Sequence, residues 1–178
     1  MHSSCQPQPS NYFSHSNHSV STTPSLPSIG SINIHAGLCN VSRKLHFTNK
    51  GNAASRGFVE FMAPGFLADW HGGLIGNNAT MELSSLPVVQ CVPMQYILRA
   101  LNITHVDVWI VDLEGSELMA LQGTNFHEVH FNLVVIECTH YDKDRNLQVM
   151  AYMKTKSFRC ERVRNNCYCP HERFNGSR

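Results

Sequence analysis

Charge is scarce in this chain. Only 15% of its 178 residues are Asp, Glu, Lys or Arg, and the two signs nearly cancel, to +1. Nucleic acid and anionic membranes demand a basic footprint, so neither is expected as the main partner. Long apolar runs are missing as well. None approaches the ~18 residues of a membrane span, and the polar N-terminus shows no apolar core of a signal peptide. The compartment is open on these grounds, with the cytoplasm as the default. No G-x-S-x-G elbow occurs, which excludes that type of serine hydrolase. No H-E-x-x-H or H-x-x-E-H occurs among the eleven histidines, which excludes the usual metalloproteases.

What is present suffices for one domain with a sizeable core, since 42% of the residues are hydrophobic. Residues 1–31 are rich in Ser, His, Pro and Asn and are read as a disordered tail, because so few apolar groups cannot offset the entropy of ordering. The domain is expected over residues 32–170, with a short tail at 171–178. Alternation predicts strands at 32–38 and 44–48, the second turning through Asn49-Lys50-Gly51-Asn52 to pair with a third run at 57–62. Residues 63–86 read as loop. The string His71-Gly72-Gly73-Leu74-Ile75-Gly76 within them lacks the strand, spacing and helix of a phosphate loop. Residues 88–92 make a short strand. Pro93 suits a first helical position, and Met94, Ile97, Leu98 and Leu101 follow the i, i+3, i+4, i+7 pattern.

Residues 105–137 carry the most information. Val106, Val108, Trp109, Ile110 and Val111 form a buried strand; Asp112 and Glu114 follow at its end; Gly115 permits a turn; Leu118, Met119 and Leu121 side a short helix; and residues 131–136 form a second strand closed by Glu137. Carboxylates just past the carboxyl ends of neighbouring strands lie where open α/β sheets bind ligands. Such a carboxylate can hold a hydroxyl, a ribose, a metal or a cation, or act as a general base. The alternative is that Asp112 merely caps the next helix while Glu114 and Glu117 favour its dipole. Asp142 or Asp144 caps a last helix with Leu147, Met150, Ala151 and Met153 on one face. A hairpin with Asn165-Asn166 at its turn then closes the chain. Strands alternating with helices indicate an α/β sheet with parallel central strands and an antiparallel edge.

The seven cysteines are Cys5, Cys39, Cys91, Cys138, Cys160, Cys167 and Cys169. Their odd number disfavours a full disulfide framework, and the three that sit inside or beside apolar strand-like runs are read as small buried hydrophobes. Cys160, Cys167, Cys169 and His171 have ligand types that suit zinc, at a spacing that does not. Asn-x-Ser/Thr sequons occur at Asn17, Asn40, Asn78, Asn102 and Asn175; they carry meaning only for a chain that enters the secretory pathway.

The stretch D-V-W-I-V-D-L-E-G-S-E-L-M-A-L-Q-G (residues 107–123) resembles the signature of the FkbM-type S-adenosylmethionine-dependent methyltransferases, roughly I-D-F-L-x-x-D-V-E-G-x-E-x-x-V-L-x-G. Asn125-Phe126 and the strand ending at Glu137 fall where that family has an N/D-F and a strand ending in Glu. Residues 91–98 are similar to its C-x-P-L-x-x-I-L segment, residues 34–39 to its strand before an inserted hairpin, and residues 57–62 to a segment of its eukaryotic branch. The resemblance spans about residues 31–170. It implies a class I methyltransferase fold, Rossmann-like and doubly wound, with an antiparallel last strand. It implies transfer of a methyl group from S-adenosylmethionine, usually to a hydroxyl of a sugar or small molecule. Asp112 is then the general base or a ligand of a divalent metal, Glu114 its support, and Glu137 and His140 acceptor-binding residues. A Gly-rich cofactor turn and a following acid should precede residue 32, and neither is there. The sheet is therefore expected to be incomplete, the chain to bind the cofactor weakly or not at all, and the open sheet edge to invite oligomers. A non-catalytic remnant that binds or scaffolds is the alternative.

Overall fold

A computed structural model describes residues 30–49, 52–72 and 83–174. Most of the polar stretch 1–31, Cys5, the turn residues Lys50 and Gly51, the glycines from Gly73 to Gly76, the sequons at Asn17, Asn78 and Asn175, and the last four residues lie outside it.

The main sheet is built by the stretch that reads most clearly in the sequence. β4 (His105–Val111) and β5 (His130–Glu137) are parallel. β-branched and aromatic residues supply both, as a strand with a buried face requires. Trp109 and Val111 of β4, with Val134 and Ile136 of β5, are buried. α3 (Glu117–Gln122) makes the crossover between them and buries Ala120 and Leu121. α4 (Lys143–Thr155) follows β5, and Asp142 caps it by accepting the Arg145 backbone N–H at 2.8 Å. β7 (Asn166–Pro170) runs antiparallel to β5, and β6 (Glu161–Val163) lies outside β7. The order is β4-β5-β7-β6, so β4 and β6 are the edges among the described residues. The expected antiparallel closing hairpin is present, but the parallel pair β4–β5 stands at one edge of the described sheet and its central pair, β5–β7, is antiparallel.

A second, three-stranded sheet has the order β1-β3-β2. β1 (Gly37–Leu38) runs parallel to β3 (Val88–Val92), and β2 (Arg43–His46) antiparallel to it. Pro93 then caps α2 (Met94–Ala100), whose Leu98 is buried. The architecture is thus mixed α/β with two mixed sheets.

Five local expectations are corrected. The first strand is not 32–38 but Gly37–Leu38 alone, because only those residues find a partner in β3. The run 57–62 is not a strand: Val59–Phe61 is a 3₁₀ turn, and only Phe58 bridges to Phe47. Val59 and Met62 turn instead into a small core with Phe66 and Leu67. That core explains the next correction. Residues 64–71, read as loop, form α1 (Pro64–His71), with Pro64 at its first turn and Phe66, Leu67 and His71 buried. On α4 the buried face is Asn146, Val149 and Met153, while Leu147 is 66% exposed. In the closing hairpin it is Arg164, at φ 57°, that takes the left-handed conformation.

The largest correction concerns the cysteines. Six of the seven are paired: Cys39–Cys91, Cys138–Cys167 and Cys160–Cys169, with Cα separations of 5.7, 5.9 and 4.1 Å. Sheet register brings them together. Cys91 lies opposite Gly37 in β3, beside the Cys39 that follows β1; Cys167 lies opposite Ile136, next to Cys138. Cys160, Cys167 and Cys169 are therefore neither free thiols nor zinc ligands. His171 is left packed edge-on against Phe158, its ring centre 5.0 Å away.

Candidate functional site

The carboxyl ends of β4 and β5 bring three acids together. Asp112 follows β4 directly, Glu114 lies two residues on, and Glu137 is the last residue of β5. One carboxylate oxygen from each lies within 4.8 Å of the others. Asp112 is exposed; Glu114 and Glu137 are half-buried.

The turn between β4 and α3 is held by a fourth acid. Glu117 is 3% exposed, and its Oε1 accepts the backbone N–H groups of Leu113 at 3.0 Å and Gly115 at 3.1 Å. Asp112 does not take the capping role open to it in the sequence: the N-cap position of α3 is Ser116, with no side-chain cap bond, and Glu117 holds the turn before the helix. Glu114 sits at φ 51° and Gly115 at φ 108°, so the chain reverses through two left-handed residues. A side chain at Gly115 would come within 2.5 Å of the Phe61 carbonyl. Arg145 of α4 donates to that carbonyl and to the carbonyl of Gly115, and it pairs with Asp142 at 3.2 Å. Backbone, acid and arginine together fix where Glu114 stands. On the other strand, the Cys138–Cys167 bond pins the residue next to Glu137.

Crowding of like charges marks the electrostatics. Burial first, and then the charges of Asp112 and Glu117, push Glu114 up to about 7. Burial, followed by the charges of Asp112, Glu114 and Glu117, pushes Glu137 up to about 8. Burial raises Glu117 too, opposed by its backbone hydrogen bonds and by Arg145. Glu137 Oε2 is buried with no hydrogen-bond partner. Two carboxyls that hold their protons near neutrality, and an orphaned oxygen, describe a site short of positive charge. The donor set is all hard oxygen, so it fits Mg²⁺, Mn²⁺ or Ca²⁺ rather than a soft metal.

An open hollow of about 260 Å³ lies beside the acids. Glu114 and Glu137 line it together with His140, Tyr141, Phe66 and Trp70. The Trp70 indole N–H donates to the Tyr141 hydroxyl at 3.2 Å, and the Phe66 and Tyr141 rings meet edge to face, 5.3 Å apart. The loop carrying His140 is held by Asn146, which donates to the Thr139 carbonyl at 2.6 Å. Asp112, Glu114 and Glu137 therefore meet in one cluster, and His140 lines the adjoining hollow without joining it. The aromatic wall is not legible in the sequence, because Phe66 and Trp70 stand in a stretch that reads as loop. Glu117 and Arg145 are hidden for another reason: their partners are backbone groups that only the turn brings near.

No curated protein and no solved structure matches the chain. The family model of the methyltransferase FkbM domain matches residues 3–160, starting upstream of the stretch in which the resemblance is read and ending before the closing hairpin. With most of its length matched, the chain belongs to the FkbM methyltransferase family.

Proposed function

We propose that this protein is an O-methyltransferase whose acceptor is a hydroxyl of a sugar or other small polyol, and that Asp112, Glu114 and Glu137 form the acceptor side of its site. The observation that carries the reading is the convergence of the three carboxylates at the ends of β4 and β5, beside a hollow walled by aromatic rings. A sugar offers apolar C–H faces that stack on such rings and hydroxyls that bond to acids. A small number of placed polar groups in an aromatic pocket is the usual form of a small-molecule site.

Methyl transfer to a hydroxyl needs the oxygen held in line and its proton removed. Asp112, the exposed member, takes that proton. Glu114, poised at about 7, can serve as its partner near neutral pH. Glu137, protonated below about 8, donates a hydrogen bond that holds the acceptor oxygen, with His140 at the rim of the hollow. A divalent cation bound by the three acids would supply further acidification of the hydroxyl and relieve their repulsion.

The family uses S-adenosylmethionine, which supplies the methyl group. The described residues offer the acceptor side but not a Gly-rich turn for the cofactor, and β4, the strand beside which such a turn would stand, is an edge among them. The parallel β4–β5 pair and the antiparallel β7 fit the later part of a Rossmann-like methyltransferase sheet. The open β4 edge favours a second reading, in which this polypeptide alone binds the cofactor poorly and acts as a binding protein.

Two measurements on one preparation test the proposal. Labelled methyl from S-adenosylmethionine should appear on polyol or glycan hydroxyls as an ether stable to base. Calorimetry reads cofactor binding directly. Micromolar binding without any transfer to hydroxyls would rule out the acceptor class. No binding and no transfer would favour the second reading.

A further inference from the structure

The three disulfides join six of the seven cysteines. Five of these six, Cys39, Cys91, Cys138, Cys167 and Cys169, are fully buried. Buried bonds of this kind hold strands together, and they form and persist in oxidising compartments rather than in the reducing cytosol. That supplies the condition under which a sequon has meaning. Two sequons lie among the described residues. At Asn40 the side-chain oxygen is buried, and the preceding Cys39 is tied to Cys91.

Asn102 is placed differently. It is exposed, and so is Thr104, the hydroxyl-bearing third residue of its sequon. It closes α2 at φ 54°, with its own N–H donating to the Arg99 carbonyl at 3.0 Å and that of Ile103 to the Leu98 carbonyl at 2.9 Å. The backbone is thus anchored while the side-chain amide enters no hydrogen bond among the described residues. Asn102 also precedes β4, whereas Asp112 follows it. Seven residues of strand put about 20 Å between the two ends. A bulky group at Asn102 therefore stands clear of the acidic site.

We propose that this protein folds in the secretory pathway and carries an N-linked glycan on Asn102. The donor is an oligosaccharide joined to a lipid through pyrophosphate. Asn102 Nδ2 forms a bond to C1 of the first sugar as the bond from C1 to the pyrophosphate oxygen breaks. The lipid pyrophosphate leaves with the electron pair, and an Nδ2 proton passes to base in the transferase. Nothing is oxidised or reduced in this step. The proposal is independent of the methyl-transfer reading.

The test uses the natural protein from its own cells. Free thiols are alkylated before lysis, and the protein is then treated with a peptide N-glycosidase in heavy-oxygen water and mapped by mass spectrometry. The six paired cysteines should resist alkylation until reduced, and position 102 should carry the heavy-oxygen aspartate that marks a removed glycan. Alkylation of those six thiols without reduction would overturn the compartment. Intact disulfides with unmodified Asn102 would overturn the glycan. In the same cells Asn102→Gln should remove one glycosidase-sensitive step of gel mobility; unchanged mobility would count against the site.

Discussion

Glu137 and Glu114 hold protons because burial and their neighbours' charges leave little room for more negative charge. The consequence for stability has a definite sign. An unfolded glutamate titrates near 4.5, and these two titrate near 7 and 8 in the folded protein. Between those values the folded state holds more protons than the unfolded one, so their contribution favours folding at low pH and is lost as pH rises through 8. The melting temperature should fall between pH 5 and pH 8.5 in a scan that starts above the ordinary carboxylate range. The fall should shrink in Asp112→Asn, which removes a charge facing both residues. Mg²⁺ or Mn²⁺ should restore stability at pH 8.5 more than at pH 5, and a wild-type melt independent of pH would contradict the crowding. Glu117 answers to different physics, because it acts as an acceptor for buried backbone. Glu117→Ala leaves the N–H groups of Leu113 and Gly115 without their partner and should cost about 2–4 kcal/mol in a urea melt. Glu117→Gln keeps an acceptor oxygen and should cost less than half of that. Equal losses for the two variants would show that charge, not hydrogen bonding, is what Glu117 contributes. The acids Asp112, Glu114 and Glu137 were legible because strand ends can be read from apolar runs. Their convergence was not, since parallel pairing of β4 with β5 sets it.

β4 is buried on one face only. Val108 and Ile110 are 53% and 71% exposed, alternating with the buried Trp109 and Val111. The strand also lacks a neighbour on one side among the described residues. An edge with apolar side chains and free backbone groups invites another strand. Ile110→Lys should leave stability within about 0.5 kcal/mol, as for other exposed positions, and should reduce self-association in concentration-dependent light scattering. Identical scattering from variant and wild type would remove the edge as an association surface. Elements with strong periodicity were legible: β3, β4, β5 and α2 to α4 follow from β-branched runs or helical spacing. α1 was not, because Pro64 and Gly65 at its start resemble a loop, and its helix forms to bury Phe66 and Leu67 against Val59 and Met62. The run 57–62 misled in the opposite sense. Its apolar residues serve that same small core from a 3₁₀ turn rather than a sheet.

Across the whole molecule the disulfides join what the sheets bring together. Cys39–Cys91 closes a separation of 52 residues, Cys138–Cys167 one of 29 and Cys160–Cys169 one of 9. By chain entropy the longest closure stabilises by about 4 kcal/mol and the shortest by about 2.5 kcal/mol. None of these pairings could be read from the sequence, because each depends on strand register and not on spacing. The family could be read, because its motif lies in the one stretch where strand, turn, helix and strand follow without interruption. The matched family and the clustered acids motivate the proposal that Asp112 serves methyl transfer. Its most direct test compares wild-type protein with Asp112→Asn in transfer of labelled methyl from S-adenosylmethionine to a hydroxyl acceptor. Both proteins are first shown to be folded by circular dichroism. The account predicts a loss of about 100-fold or more, the scale of a positioned general base. Undiminished transfer by Asp112→Asn would contradict it.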